Sequence, residues 1–260
     1  MIAHIVLAAG LLASASAAAQ QIDAKREYAL CMVEARANPA AGWDRATRWQ
    51  GLGGGEAARH CQAVALIGLG QPAEAARRLE SLGQEVRGEP GFRAELFGQA
   101  GQAYLLAGNA TQAEAVLTAA LKLDPEDPEL RLDRGQARAQ RGDFTGAVED
   151  LTVVLRKDPK KVDALVFRAS ALRQMGARDR ASADLVAALS LSPNHPEALL
   201  ESGMLNRLNG NIAAARRDWL SVIQRAPGSP AAQAAQDNLQ LMDGTGQGAV
   251  KGGAQKGKGK

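Results

Sequence analysis

The sequence predicts an all-α fold, a right-handed α-solenoid of stacked helical hairpins. Three recurrences predict it. Prolines stand 34 residues apart at Pro125, Pro159, Pro193 and Pro227. Gly108, Gly142, Gly176 and Gly210 repeat in phase with them, and so do Ala113, Ala147, Ala181 and Ala215. A period of this length fits a helix–turn–helix unit that cannot bury its apolar face alone, so that copies must stack. Composition agrees: aromatic residues make up only 3% of the 260 positions. Alanine is abundant and is the best helix former, which points to a core of Ala and Leu with closely approaching helices. The repeat also replaces the one or two globular domains that length alone would suggest with a single elongated array.

Residues 1–19 read as a signal peptide. An apolar run from Ile2 to Leu12 is followed by small residues ending Ala17-Ala18-Ala19, ahead of Gln20. That is a short apolar segment with an A-x-A cleavage site. It is shorter than the roughly 20 residues needed to span a bilayer. The charged start is weak, with His4 and the amino terminus but no Lys or Arg; an uncleaved N-terminal segment is the alternative. No cysteine lies at the cleavage site to carry a lipid. The expected location is periplasmic or secreted, in a bacterial type of envelope.

Residues 20–93 read as degenerate helical hairpins. One helix runs through Cys31, a turn falls at Asn38-Pro39, and a second helix holds Trp43 and Trp49 as core residues. Gly51 to Gly55 must break that helix. The next hairpin places Leu66, Gly70, Ala75 and Leu79 in the expected relative positions, with about four residues inserted near Gly83–Pro90. Cys31 and Cys61 are the only cysteines. In an exported chain an even pair points to a disulfide, and their separation is too wide for a C-x-x-C motif. Two buried free thiols are the alternative.

Residues 94–229 divide into repeats 94–127, 128–161, 162–195 and 196–229, each counted so that its late proline takes position 32. The first reads Phe97, Gly101, Tyr104, Ala113, Leu117, Ala120 and Pro125 at positions 4, 8, 11, 20, 24, 27 and 32. The third reads Leu165, Ala169, Leu172, Ala181, Leu185, Ala188 and Pro193. The fourth keeps the pattern except for Asn206 at position 11, and the second places Arg131, Arg134 and Arg138 on one face of its first helix. Small residues at position 8 let the two helices meet. The glycine at position 15 ends the first helix, and the proline ends the second. The pattern resembles the tetratricopeptide repeat family over residues 56–229, most closely over 94–229. Ala231 to Met242 is expected to cap the last apolar face as a helix over 230–242. Residues 243–260, rich in Gly and Lys, are expected to be disordered.

No catalytic, metal-binding or phosphate-binding motif is present, so no enzyme activity, metal or cofactor is expected. His60 and Cys61 are neighbours on one helix and point about 100° apart, which argues against a nucleophile pair. The net charge is +3, and all of it comes from the tail, with Lys251, Lys256, Lys258 and Lys260 against Asp243. The folded part is neutral overall, which argues against nucleic acid as a partner.

The family resemblance implies a concave surface lined by the first helix of each hairpin, where another protein or a peptide segment binds. The positions expected to face it are 5, 9 and 12, giving Gln102, Leu132, Gln136, Val166, Ser170, Arg173, Leu200, Met204 and Arg207. Leu132, Val166 and Leu200 are expected to form an exposed apolar row. Gln136, Arg173 and Arg207 are expected to meet the partner's backbone or carboxylates. The family's chaperone-carboxylate clamp needs a Lys–Asn pair at positions 5 and 9, and none is present. The expected function is a non-enzymatic scaffold or adaptor. The alternatives are an accessory subunit of an envelope enzyme complex and anionic-polymer binding through the lysine tail. The groove could instead be occupied by the chain's own N-terminal helices or by a second copy in a homo-oligomer.

N-terminal sequencing of protein from the native host should begin at Gln20. An intact Met1 on protein from the cytoplasm would refute export.

Overall fold

The structure is a computed structural model that describes residues 23–252, with side chains described for 23–244. The expected signal peptide over 1–19 lies outside the described residues. The described residues form thirteen α-helices and no strand. The first hairpins are α1 (Ala24–Ala37) with α2 (Pro39–Gly51), and α3 (Gly55–Gly68) with α4 (Pro72–Glu85). Next come α5 (Pro90–Leu106) with α6 (Ala110–Leu123), and α7 (Pro128–Gln140) with α8 (Phe144–Lys157). Then follow α9 (Val162–Gln174) with α10 (Arg178–Leu191), α11 (Pro196–Leu208) with α12 (Ile212–Arg225), and the single helix α13 (Pro230–Gly252).

Local chemistry sets these boundaries. Asp23, Asp127 and Asp143 cap α1, α7 and α8 by accepting backbone N–H groups left over in the first turn. Proline occupies the start of α2, α4, α5, α7 and α11, where its missing N–H costs nothing. The first helix of each later hairpin ends before a glycine in the left-handed region, as at Gly142 with φ +85°. The second helices end at Asp124, Asp158, Ser192 and Ala226, each directly before a proline.

Every helix packs on the next, and the odd-numbered helices also touch across hairpins: α5 on α7, α7 on α9, α9 on α11 and α11 on α13. No even-numbered pair does so to the same extent. Helices on the inside of a curve lie closest together, so the odd set lines the concave side of the solenoid. Leu117, Leu151 and Trp219 fill the first, second and fourth regular hairpins and are fully buried, and Leu185 takes the equivalent place in the third.

A polar layer runs beside this apolar column. Arg134 grips Asp150 with two hydrogen bonds of 2.8 and 2.7 Å, and Arg168 grips Asp184 in the same way. In the last repeat Ser202 and Asn206 donate to Asp218 instead. Asn206, which departs from the repeat pattern, therefore replaces a core apolar group with a satisfied polar one. Arg138 joins Asp150 and Glu114, and Arg131 donates to the Pro125 carbonyl. The three arginines of α7 are thus held within the fold.

At the N-terminal end Cys31 of α1 and Cys61 of α3 form a disulfide with Cα atoms 6.1 Å apart. One residue earlier, the fully buried His60 bridges three helices. Its Nε2 stands 2.8 Å from Gln99 Oε1 on α5, and its Nδ1 stands 2.7 Å from the Tyr28 hydroxyl on α1. Gln99 Oε1 can only accept, so Nε2 carries the proton and Nδ1 accepts from Tyr28. That arrangement suits a neutral ring. Burial lowers the His60 pKa from its ordinary value, while Gln99 and Glu95 act in the opposite sense.

The cap at the far end differs in length from expectation. Ala231, Ala232, Ala235 and Met242 cover the last hairpin. The helix does not stop at Met242 but continues to Gly252. Extending an existing helix adds one bond per residue without a new nucleation cost, and no proline interrupts it. The stretch 243–252, expected to be disordered, is thus helical, and 253–260 lies outside the described residues.

Alkylation of the denatured, unreduced protein should label no thiol. Replacing both cysteines by Ala should lose roughly 3–4 kcal/mol of stability in the chain-entropy account of a loop this size. Stability should also fall as pH drops below 6.5, the ordinary value for His60, toward its lowered folded value, because the unfolded chain then binds the proton more readily. Thermal melts of wild type and His60→Gln between pH 7.5 and 5 test this; the variant should show the shallower decline.

Candidate protein-binding groove

The concave side between α7, α9 and α11 holds an open cavity of about 260 Å³. Its polar and aromatic lining comes from four repeat positions shared among the three helices: Gln136 and Gln140 on α7; Phe167, Ser170 and Gln174 on α9; Glu197 and Glu201 on α11. These are repeat positions 2, 6, 9 and 13, spaced i, i+4, i+7 and i+11, which is one stripe along a helix. Val166, Ala171 and Leu200 form the floor, with Ala139 and Phe144 at one side.

This geometry changes the expected site. Leu132 and Val166 are not exposed: they retain only 6% and 2% of their accessible surface. Both join the cluster with Leu151, Val154 and Leu165. Leu200 is half-buried against Trp219 and its neighbours. Position 5 points along the array toward the adjacent hairpin, because consecutive odd helices touch there. The expected exposed apolar row is therefore mostly core. Val166 and Leu200 still reach the cavity as its floor, whereas Leu132 does not.

Arg173 is also placed differently. Its side chain keeps 8% of its surface and binds Glu201 at 2.7 Å, while Ser170 donates to the same carboxylate. The guanidinium holds α9 against α11 and is not presented to a partner. Arg207 is exposed and Met204 half-buried, and neither lines the cavity. Gln136 and Ser170 do line it. Gln102 lies one hairpin away, where it donates to Asp133 at 2.9 Å.

Position 6 went unpredicted. It supplies Asp133, Phe167 and Glu201, the side chains that face the concave space beside position 9. The polar–apolar–polar alternation at that position is visible in the sequence, but choosing it over position 5 needs the angle between neighbouring hairpins.

The electrostatics are one-sided. Among the described residues lining the cavity, Glu197 and Glu201 are the only charged ones. In the neighbouring part of the same face, burial raises the Asp133 carboxyl to about 6, with Glu129 and Asp127 adding to the rise and the Gln102 hydrogen bond and Lys161 opposing it. Arg173 already compensates Glu201, so a partner carboxylate would meet Glu197 and find no open cation in the lining. Glutamine amides and a serine hydroxyl can pair with an extended main chain, and Phe144, Phe167 and Leu200 can receive an apolar side chain.

Models of the tetratricopeptide repeat family match residues 66–132, 100–171 and 168–230, covering the chain without a gap from Leu66 to Pro230. No curated relative matches the chain. Among solved structures, it is similar to a tetratricopeptide repeat protein from Parabacteroides merdae, at 16% identity and TM-score 0.64 over 84% of this chain and 86% of that one. It is similar to the APC/C hetero-tetramer Cut9–Hcn1 at 16% identity and TM-score 0.65, over 83% of this chain and 42% of that one. It also resembles MamA from Desulfovibrio magneticus RS-1 at 20% identity and TM-score 0.53, over 64% and 93%. At these identities the likeness is one of fold. With the three family matches, the recurring glycine and proline boundaries and the stacked hairpins all in agreement, the chain belongs to the tetratricopeptide repeat family.

Proposed function

We propose that this chain is a non-enzymatic scaffold of the bacterial envelope that holds an extended segment of a partner protein in its concave groove. Repeats of this family act as protein-interaction scaffolds. The observation that carries the reading is the cavity between α7, α9 and α11, with its apolar floor and a polar stripe of Gln136, Gln140, Ser170 and Gln174 beside Glu197 and Glu201. The N-terminal apolar run and the Cys31–Cys61 disulfide support the envelope location, since disulfides persist in oxidising compartments. An accessory subunit of an enzyme complex would use the same groove in the same way.

Magnitudes favour an extended contact. Burying one Leu or Phe side chain contributes about 1.5–3 kcal/mol. Micromolar affinity needs about 8 kcal/mol. One anchor in the cavity is therefore insufficient, and the partner must run along several hairpins. The groove chemistry favours an apolar anchor flanked by uncharged or basic residues over an acidic segment.

Tagged protein should capture a specific partner from solubilised envelopes. Phe167→Glu should abolish capture. Gln140→Lys with Gln174→Lys, which alters two exposed side chains at the cavity mouth and leaves the core untouched, should weaken it at least several-fold. Removing residues 253–260 should leave it unchanged. Capture that survives both groove variants and disappears with the tail would overturn the groove reading in favour of the lysine tail.

A further inference from the structure

The opposite side of the solenoid carries a larger cleft of different chemistry. It has a volume of about 420 Å³ and lies on the convex face, walled by α2 and α4 with α3 as its floor. Trp43 forms one wall, Arg77 and Arg78 with Glu74 the other, and Arg59 and Gln62 rise from the floor. Three guanidinium groups thus face one carboxylate within the lining, where the concave cavity has two carboxylates and no cation.

These arginines differ from those inside the fold. Arg134 and Arg168 are closed by two-pronged pairing with Asp150 and Asp184. In the cleft each guanidinium makes a single bond to a carboxylate: Arg59 to Glu85 at 2.7 Å, Arg77 to Glu74 at 2.5 Å and Arg78 to Glu74 at 2.7 Å. A guanidinium has five N–H donors in a planar fork suited to a carboxylate. Among the described residues most donors of these three therefore make no hydrogen bond. Their positions are nonetheless biased by neighbouring groups. Arg78 lies over the Trp43 ring at 5.4 Å, a cation–π contact that orients both groups. Glu74 holds Arg77 and Arg78 on adjacent positions, and Glu85, its carboxyl held down at about 2 first by Arg59 and then by Ser81, anchors Arg59. Gln62 is almost wholly buried at the base and donates to Thr47. The cleft is thus a preset group of cations with unfilled donors beside an aromatic wall.

We propose that this convex cleft is a carboxylate-binding site, separate from the concave groove, that takes a ligand carrying at least two carboxylates. Glu74 and Glu85 each hold their arginines through single bonds, so Arg59 and Arg77 keep N–H groups for one incoming carboxylate each. The carboxylates could come from a free polycarboxylic acid or from the side chains of an acidic segment of a second protein. In either case their bonds to Arg59 and Arg77 are charge-assisted and weaken as salt is raised. Because this site does not depend on the concave groove, the two readings stand or fall separately.

The test uses the full oxidised chain and two probes, citrate and a hexaglutamate peptide, titrated by calorimetry at low and moderate salt. At least one should bind, and raised salt should weaken it. Arg59→Gln with Arg77→Glu should lower its affinity by about tenfold or more. Phe167→Glu in the concave groove should leave it unchanged. Trp43 gives an independent readout, because Trp49 and Trp219 are buried. Iodide should quench tryptophan emission more strongly than caesium, and the bound probe should protect against iodide. Tighter binding of citrate would identify a free acid as the ligand type, and tighter binding of the peptide an acidic segment. The proposal is overturned if neither probe binds at low salt, or if binding is the same in the folded double variant. Equal quenching by iodide and caesium would likewise count against it.

Discussion

Within each regular hairpin the two helices close to contact at one point, where Gly101, Gly135, Ala169 and Gly203 face Leu117, Leu151, Leu185 and Trp219. A Cβ on Gly101 would stand 2.5 Å from Leu117, and one on Gly203 would stand 2.4 Å from Trp219. No real side chain tolerates that distance without moving its neighbour. Close approach at this point sets the separation of the two helices. It lets one large side chain fill the hairpin and fixes the angle at which the next hairpin stacks. The curvature, and with it the concave groove, follows from repeating that contact.

The polar layer beside the contact has a different role. Asp150 and Asp184 are nearly buried, and each is gripped by an arginine fork. A charge left unpaired there would be costly, so each pair tolerates only the register that completes it. Ser202 and Asn206 satisfy Asp218 by hydrogen bonds without an arginine. The layer supports a specific alignment of helices more than it adds net stability, because desolvation offsets much of the Coulomb attraction. Arg173 and Glu201 extend the same device between hairpins, and this removes from the groove a cation that a sequence reading would place in it.

Charge is segregated across the array although the folded part is neutral overall. The concave cavity presents glutamates and amides, and the convex cleft presents guanidiniums beside Trp43. Two sites whose linings differ in charge can favour different partners at encounter, before any close packing forms. The N-terminal hairpins carry the convex cleft and are also the part tied by the disulfide and by His60. The least regular stretch of the repeat is therefore the one with the most cross-linking, as expected where apolar patterning alone is weak.

Much of the fold was legible in the sequence because its boundaries are local. A glycine at position 15 and a proline at position 32 act within a few residues, so helix ends at Leu106, Gln140, Leu123 and Lys157 follow from chain chemistry alone. The same holds for the stacking of hairpins, since an amphipathic pair with a fixed period has nowhere else to bury its face. Site residues were less legible. Positions 5 and 6 are neighbours in sequence and about 100° apart on the helix, so deciding which meets the groove and which meets the next hairpin requires the packing angle. That is why Leu132 and Val166 are core, why Phe167 and Glu201 line the cavity, and why Arg173 is held by Glu201. The convex cleft was invisible for the same reason: Trp43, Arg59 and Arg77 come from three helices, and only their packing brings them together.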